Sequence, residues 1–297
     1  MRGLAEYQWG PGITPRIIRN LIIWTSCITL LSAFVQSIIM SFTTAYGPQD
    51  YLSLSWWGLQ NWYLWQPLTF LFIQPLFYQG ITFFFLITLL FNMYILWVMG
   101  SAIVDYVGVK PFLKLYFISG IGAGLIALAA MPVTGHYSAL AGPAASILAL
   151  LMAWTMMHPE IEILLFFLIP LKVKWIMAGI IAGVLLTTIS QGDVGSLIFY
   201  LAGIFIGYGY GVIAWGLQGP FAFTHKIDHF LNRLRYQRQE SSGKIINIKT
   251  GQPEASDDHF VDEMLEKIAK HGEKSLSWRE RQRLQRISEQ KKKKLHR

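Results

Sequence analysis

Residues 79–103 read QGITFFFLITLLFNMYILWVMGSAI, 25 consecutive positions without Asp, Glu, Lys, Arg or His. A helix needs roughly 20 apolar residues to cross a bilayer core, and in lipid the backbone must pair its own polar groups, so this run predicts a transmembrane helix. The same signal recurs on either side of it. Spans fall near 20–42, 79–103, 111–131, 138–157, 175–191 and 196–217. The fold class that follows is all-α: a polytopic six-helix membrane bundle with a short soluble helical tail. Four regions result: a cytoplasmic N-terminus (1–19), the membrane domain (20–218), a basic amphipathic segment and linker (219–256) and a helical tail (257–297).

Composition agrees with the spans. Hydrophobic residues make up 53% of the chain and charged residues 14%, against roughly 25% charged in soluble domains. No Lys or Arg occurs between Arg19 and Lys110, between Lys114 and Lys172, or between Lys174 and Lys226. Every basic cluster therefore sits on one side of the six spans, which the positive-inside rule makes cytoplasmic, with both termini. The +8 formal charge belongs mainly to the tail, so its expected partner is anionic lipid at the inner surface. The Lys291 to Lys294 run lacks the interleaved aromatic residues of a nucleic-acid platform, and no nucleic-acid partner is expected.

The first apolar run, Leu21 to Phe42 after Arg16 and Arg19, is longer than the ~7–15 apolar residues of a cleavable signal and reads as a retained anchor. Its Cys27 is the single cysteine, which leaves no disulfide framework within the chain. Tyr51 to Pro75 crowds Trp56, Trp57, Trp62, Tyr63 and Trp65 among Gly, Asn and Pro, as an interfacial loop does. After Gly219, Phe223, Ile227, Phe230, Leu231 and Leu234 recur at helical spacing among basic residues, a surface-lying amphipathic helix. Ser277 with Glu280 has the pattern of a capping box opening a tail helix.

From Trp65 to Gly211 the motifs, taken in order, resemble those of the rhomboid intramembrane serine protease family. WQPLTFLF (Trp65 to Phe72) looks like the end of the family's first loop. Phe91-Asn92-Met93, Gly100 and Asp105 follow in helix 2, then KPFLKLYFISGIGAG (Lys110 to Gly124) in helix 3. LAGPAASILAL (Leu140 to Leu150) stands where rhomboids carry Gly-x-Ser-Gly-Ala, and Ala202-Gly203 with Gly207 resembles the small-residue face of helix 6. Residues 261–288 look like a helical extension found on some bacterial rhomboids. Small residues let helices approach closely in lipid, so Gly142, Gly203 and Gly207 are expected at a tight contact.

The resemblance implies a Ser nucleophile on helix 4, a His base on helix 6, and His and Asn helpers on helix 2. Here the nucleophile position holds Ala144, after Pro143 and Gly142, and the base position holds Tyr200. Thr88 replaces the helix-2 His and only Asn92 is kept. Gln66 stands where the first loop often has Arg. Ala has no side-chain heteroatom, and an unperturbed Tyr, with a pKa of about 10, is a poor base at neutral pH. Thr88, Asn92, Gly142, Pro143, Ala144 and Tyr200 are thus expected to line a former active site with no catalytic residue. Ser146 lies about 200° around the helix from Ala144, and His136 with Ser138 reads as solvated loop.

No metal or cofactor is expected, because His136, His158 and the tail histidines fall in separate compartments. No Asp, Glu, Lys or Arg lies in the apolar centre of a span, which disfavours a transporter. The reading that results is an inactive rhomboid-like protein binding transmembrane clients. The alternatives are a divergent rhomboid endopeptidase and a scaffold acting through its cytosolic tail.

Overall fold

The computed structural model describes residues 14–43, 46–76, 80–135, 137–165 and 169–221, positions 224, 227–228 and 231, and in the C-terminal region 245–246, 253–254, 261, 264–268, 276, 280–282, 284–285 and 287–288. The chain forms two compact units, residues 1–232 and 233–297. The first is helical: α1 (Arg16–Phe42), short α2 (Pro48–Leu52), α3 (Trp56–Gln60) and α4 (Gln66–Thr69), then α5 (Phe83–Val107), α6 (Val109–Thr134), α7 (Ala144–Met157), α8 (Val173–Gln191) and α9 (Val194–Tyr210). A π-helical turn, Gly211–Trp215, extends α9. Five of these helices are long and apolar enough to cross a membrane; α7 is apolar but shorter.

Each long helix starts or ends a few residues from its sequence-based bounds, but α7 departs by more. The expected span 138–157 is helical only from Ala144, and its 14 residues cover about 21 Å at 1.5 Å per residue. The reason lies in Gly142-Pro143. Proline disfavours helical backbone in the residue before it, and Gly142 sits at φ +103°, a conformation that side chains resist. The chain ahead of α7 is instead held as an extended segment. Leu54 and Leu140 exchange backbone hydrogen bonds at 2.9 and 2.8 Å, and the Gly142 N–H donates to the Phe70 carbonyl at 2.8 Å. Such non-helical backbone is tolerated at membrane depth because the protein satisfies it.

The central helix is α7, with Ala145 to Leu150 all buried. It packs in a core with α5 and α6 through Leu150, Ala153, Leu96, Leu115 and Tyr116, and with α8 and α9 through Leu148, Met152, Met177 and Ile204. The Tyr51 to Pro75 loop carries a ring cluster in which Trp57 stacks on Tyr46 and Tyr63 on Trp65, each with centroids 4.9 Å apart. Between α7 and α8 an antiparallel hairpin, β1 (Glu162–Leu165) with β2 (Ile169–Lys172), pairs Glu162 with Lys172. Hydropathy alone treats this as a plain connection, although the short apolar run is strand-compatible; Pro170 is tolerated because both strands of a two-stranded ribbon are edges.

The first unit runs past the 218/219 boundary that composition suggests. Tyr208 donates its hydroxyl to the Asp228 carboxylate, which also accepts the Gly219 N–H at 2.9 Å, so the chain after α9 folds back on that helix. Most of the amphipathic segment, including Phe223, Phe230 and Leu234, lies outside the described residues, as do Ser277 and Lys291 to Lys294. In the second unit β3 (Ile245–Ile246) pairs antiparallel with β4 (Pro253–Glu254). Met264, Leu276 and Ile287 bury together with Val261, Ile268 and Leu284, and Lys267 pairs with Glu280 at 2.9 Å.

Candidate functional site

Three elements converge where α7 begins. Ala144 is the first residue of α7, Tyr200 comes from α9, and Thr88 and Asn92, four residues apart and so on one face of α5, close the opposite side. With Gln74, Pro75, Phe84, Phe85, Ala141 and Gly142 they line a cavity of about 210 Å³. Five of the six residues singled out from sequence share this space. Pro143 is not among the lining residues; it stands at the N-terminus of α7, where its carbonyl accepts from the Ile147 N–H at 2.9 Å.

The polar groups here are few. Thr88 donates its hydroxyl to the Phe84 carbonyl of its own helix at 2.8 Å, which occupies its proton locally. Asn92 is half-buried, and among the described residues its amide has no hydrogen-bond partner. Among the described residues no imidazole, carboxylate or thiol lines the cavity. Gln74, which the sequence reading passed over, is 4% exposed; its Nε2 donates to the Phe85 carbonyl at 3.4 Å, while its Oε1 is buried without a partner among the described residues. An isolated amide between Ile73 and Pro75 was the available signal.

Ser146, the hydroxyl nearest Ala144 in sequence, is fully buried on the α6 side of α7 and donates to the Tyr116 carbonyl at 2.8 Å. Gly120 makes room for it, since a Cβ there would come within 2.2 Å of the Ser146 Oγ. Ser138 lies in the segment leading to α7 and borders a second cavity; His136 lies outside the described residues.

The glycines divide into two kinds. A Cβ on Gly203 would lie 2.6 Å from the Ala145 carbonyl oxygen, and one on Gly207 would lie 2.6 Å from the Ala149 Cα, so α9 rides directly on the α7 backbone. Gly142 corrects the expectation of a third close contact: its nearest neighbour would be 3.6 Å from a Cβ, and its positive φ is what requires glycine.

Gln66, 1% exposed, organises the first loop. Its Oε1 accepts from the Ser55 N–H at 3.2 Å and its Nε2 donates to the Tyr51 carbonyl at 3.3 Å. Thr69 donates to the Leu52 carbonyl at 2.9 Å, and Thr29 of α1 donates to the Phe72 carbonyl at 3.0 Å. Loop, α1 and the start of α7 are thereby tied together around the cavity. The second cavity, about 720 Å³, lies at the end carrying the α1–α5, α6–α7 and α8–α9 connections and shares Pro75, Ala141 and Tyr200 with the first.

The model of the rhomboid domain family matches residues 65–217, and the chain belongs to the rhomboid family. It is accordingly a multi-pass integral membrane protein. A second match, to a family of unknown function, covers residues 249–290 in the C-terminal unit. No curated protein matches the chain.

Proposed function

We propose that this rhomboid is catalytically inactive and binds transmembrane client proteins without cleaving them. The observation that carries the reading is the content of the small cavity: Ala144 at the head of α7, Tyr200 from α9, and among the described residues no side chain there able to act as a nucleophile with a base in reach. Covalent peptide hydrolysis needs that pair within about 2.6–3.2 Å of each other. The nearest serine in sequence has its proton engaged in the α6 contact. A preserved cavity with an unpaired Asn92 amide suits recognition of a client segment.

The arrangement of basic residues supports cytoplasmic termini and, in a bacterial cell, residence in the inner membrane. Bilayer lipid, client helices and anionic lipid at the basic segment are its partners in this reading. The match to a family of unknown function over residues 249–290 marks the C-terminal unit as a module of its own, and the alternative reading is a scaffold that acts through this unit.

Purified full-length protein in lipid, incubated with a helix-destabilised single-span reporter, tests the reading. The expected result is capture of the reporter by photocrosslinking without cleavage, and no labelling by a serine-directed fluorophosphonate. Cleavage or labelling that disappears on Ser138→Ala or Ser146→Ala identifies a divergent protease and overturns it. Reporter fusions after Leu54 and Asp193 are expected to read external, and a fusion after Gln239 internal; an external Gln239 refutes the orientation.

A further inference from the structure

The larger cavity holds a combination the smaller one lacks. Between Arg19 and Asp105 the only acidic residue is Asp50, and between Glu162 and Lys226 the only one is Asp193. These two sit on connections far apart in sequence, at the end of the bundle whose connections contain no Lys or Arg, yet both line this one space. Neither makes an ion pair with a described residue. Asp50 is fixed by the Gln36 Nε2 at 2.9 Å and the Gly47 N–H at 2.8 Å; Asp193 is fixed by the Ser196 N–H at 3.0 Å. Their negative charge is thus held in place without a countercharge among the described residues.

A second observation is independent of the carboxylates. Gln49 also lines the cavity, is 7% exposed, and its Nε2 is buried with no partner among the described residues. A buried donor left unpaired is destabilising, and an occupant that draws the Gln49 amide toward the cavity and accepts from it removes that cost. The occupant that fits both features carries a cation for Asp50 and Asp193 and a carbonyl for Gln49. A peptide with Lys or Arg side chains carries both. Tyr200, Pro75 and Ala141 border both cavities, so a chain seated in the small one runs on into the large one.

We propose that the larger cavity docks a basic juxtamembrane segment, selecting clients with Lys or Arg next to the membrane span at this end. This rests on the client-binding reading above, and the charge preference is its own claim. The test uses full-length protein in zwitterionic phosphatidylcholine nanodiscs and three synthetic peptides. One is a single-span peptide with a Lys-Lys-Ser-Lys flank, one is the same span with a Gln-Gln-Ser-Gln flank, and one is a water-soluble Lys-Lys-Ser-Lys peptide without a span. The double variant Asp50→Asn/Asp193→Asn removes both charges and keeps oxygen acceptors for the Gln36, Gly47 and Ser196 donors, since Asn caps helices as Asp does.

The Lys-flanked span is expected to bind the wild type roughly tenfold more tightly than the Gln-flanked one, as close charge pairs at interfaces allow. That advantage should vanish in the double variant and shrink in high salt, the salt series needing no variant. Equal affinity of the two spans for the wild type, or an advantage that survives both the double variant and salt, overturns the proposal and leaves client binding standing. Binding of neither span overturns client binding. The soluble peptide then decides alone: capture lost in the double variant supports the cavity's charge selectivity, and no capture overturns it.

Discussion

Placing a methyl group on Gly207 forces α7 and α9 apart. The Gly207→Ala Cβ would sit 2.6 Å from the Ala149 Cα and 2.8 Å from its Cβ and carbonyl oxygen, against the 3.4 Å at which ordinary contact begins. The shortfall is therefore about 0.8 Å, and two of the three atoms are backbone, so no rotamer change relieves it. Overpacking of this kind costs about 1–3 kcal/mol. Gly203→Ala meets the Ala145 carbonyl and Cα in the same way, one turn earlier on the same face. Because both demand the same displacement, the double variant should cost less than the sum of the two. Adding Ala149→Gly to Gly207→Ala removes only the Cβ clash and should rescue little. Gly209→Ala is the control: among the described residues nothing lies within 4 Å of its Cβ, and alanine's better helix propensity predicts a change between zero and about 1 kcal/mol of stabilisation. Reversible unfolding of the purified protein in mixed micelles measures all five. Full rescue by Ala149→Gly, or a Gly207→Ala as benign as Gly209→Ala, would refute the close-approach argument.

Replacing Gln66 with Leu strands the buried Ser55 N–H and should cost about 1–3 kcal/mol, read as a lower melting temperature and altered tryptophan fluorescence of the first loop. Gly58→Ala should act the same way, since its Cβ would fall 1.9 Å from the Gln66 Oε1, and the double variant should be little worse than either single. Ser146→Ala should cost on the order of 0.6–1.7 kcal/mol, as interhelical hydrogen bonds in membranes do, with client capture unchanged. Hydrogen bonds from Lys172 and Lys174, at 2.8 and 2.5 Å, hold the Glu160 carboxyl down at about 2. Because its folded value is depressed, the clamp is fully present above the ordinary carboxylate range and is lost as pH falls through about 2. Carbon-13 titration should show this, with the midpoint rising toward the ordinary value in Lys172→Ala/Lys174→Ala; an unshifted wild-type midpoint would refute it.

Hydropathy located the long helices because each must present an apolar surface to lipid, and that requirement is written residue by residue. It failed at Ser138 to Pro143, where the chain is held by the protein rather than by its own helix: Leu140, Gly142 and Pro143 are buried and the segment is bridged to Leu54 and Phe70, while Ser138 and Ala139 stay exposed. Periodicity has no access to that distinction, although Gly142-Pro143 announced a break. The gathering of Thr88, Asn92, Ala144 and Tyr200 was legible only through motif order, since nothing in their spacing states which faces meet. Gln74 and Gln49 escaped because a lone amide in a loop carries no pattern until the neighbours that fail to pair with it are known. The meeting of Asp50 and Asp193 is a tertiary fact of the same kind.

The contact between α7 and α9 also fixes an order of events during synthesis. The central helix emerges from the ribosome well before its partner, so its Ala145 and Ala149 face and the start of the small cavity stay uncovered until residues 194–215 have entered the bilayer. For that interval the nascent bundle is an unfinished groove flanked by lipid. Insertion machinery that delays release of the earlier helices would shield it, and a chain truncated anywhere before Gly203 would present that groove permanently to quality-control proteases.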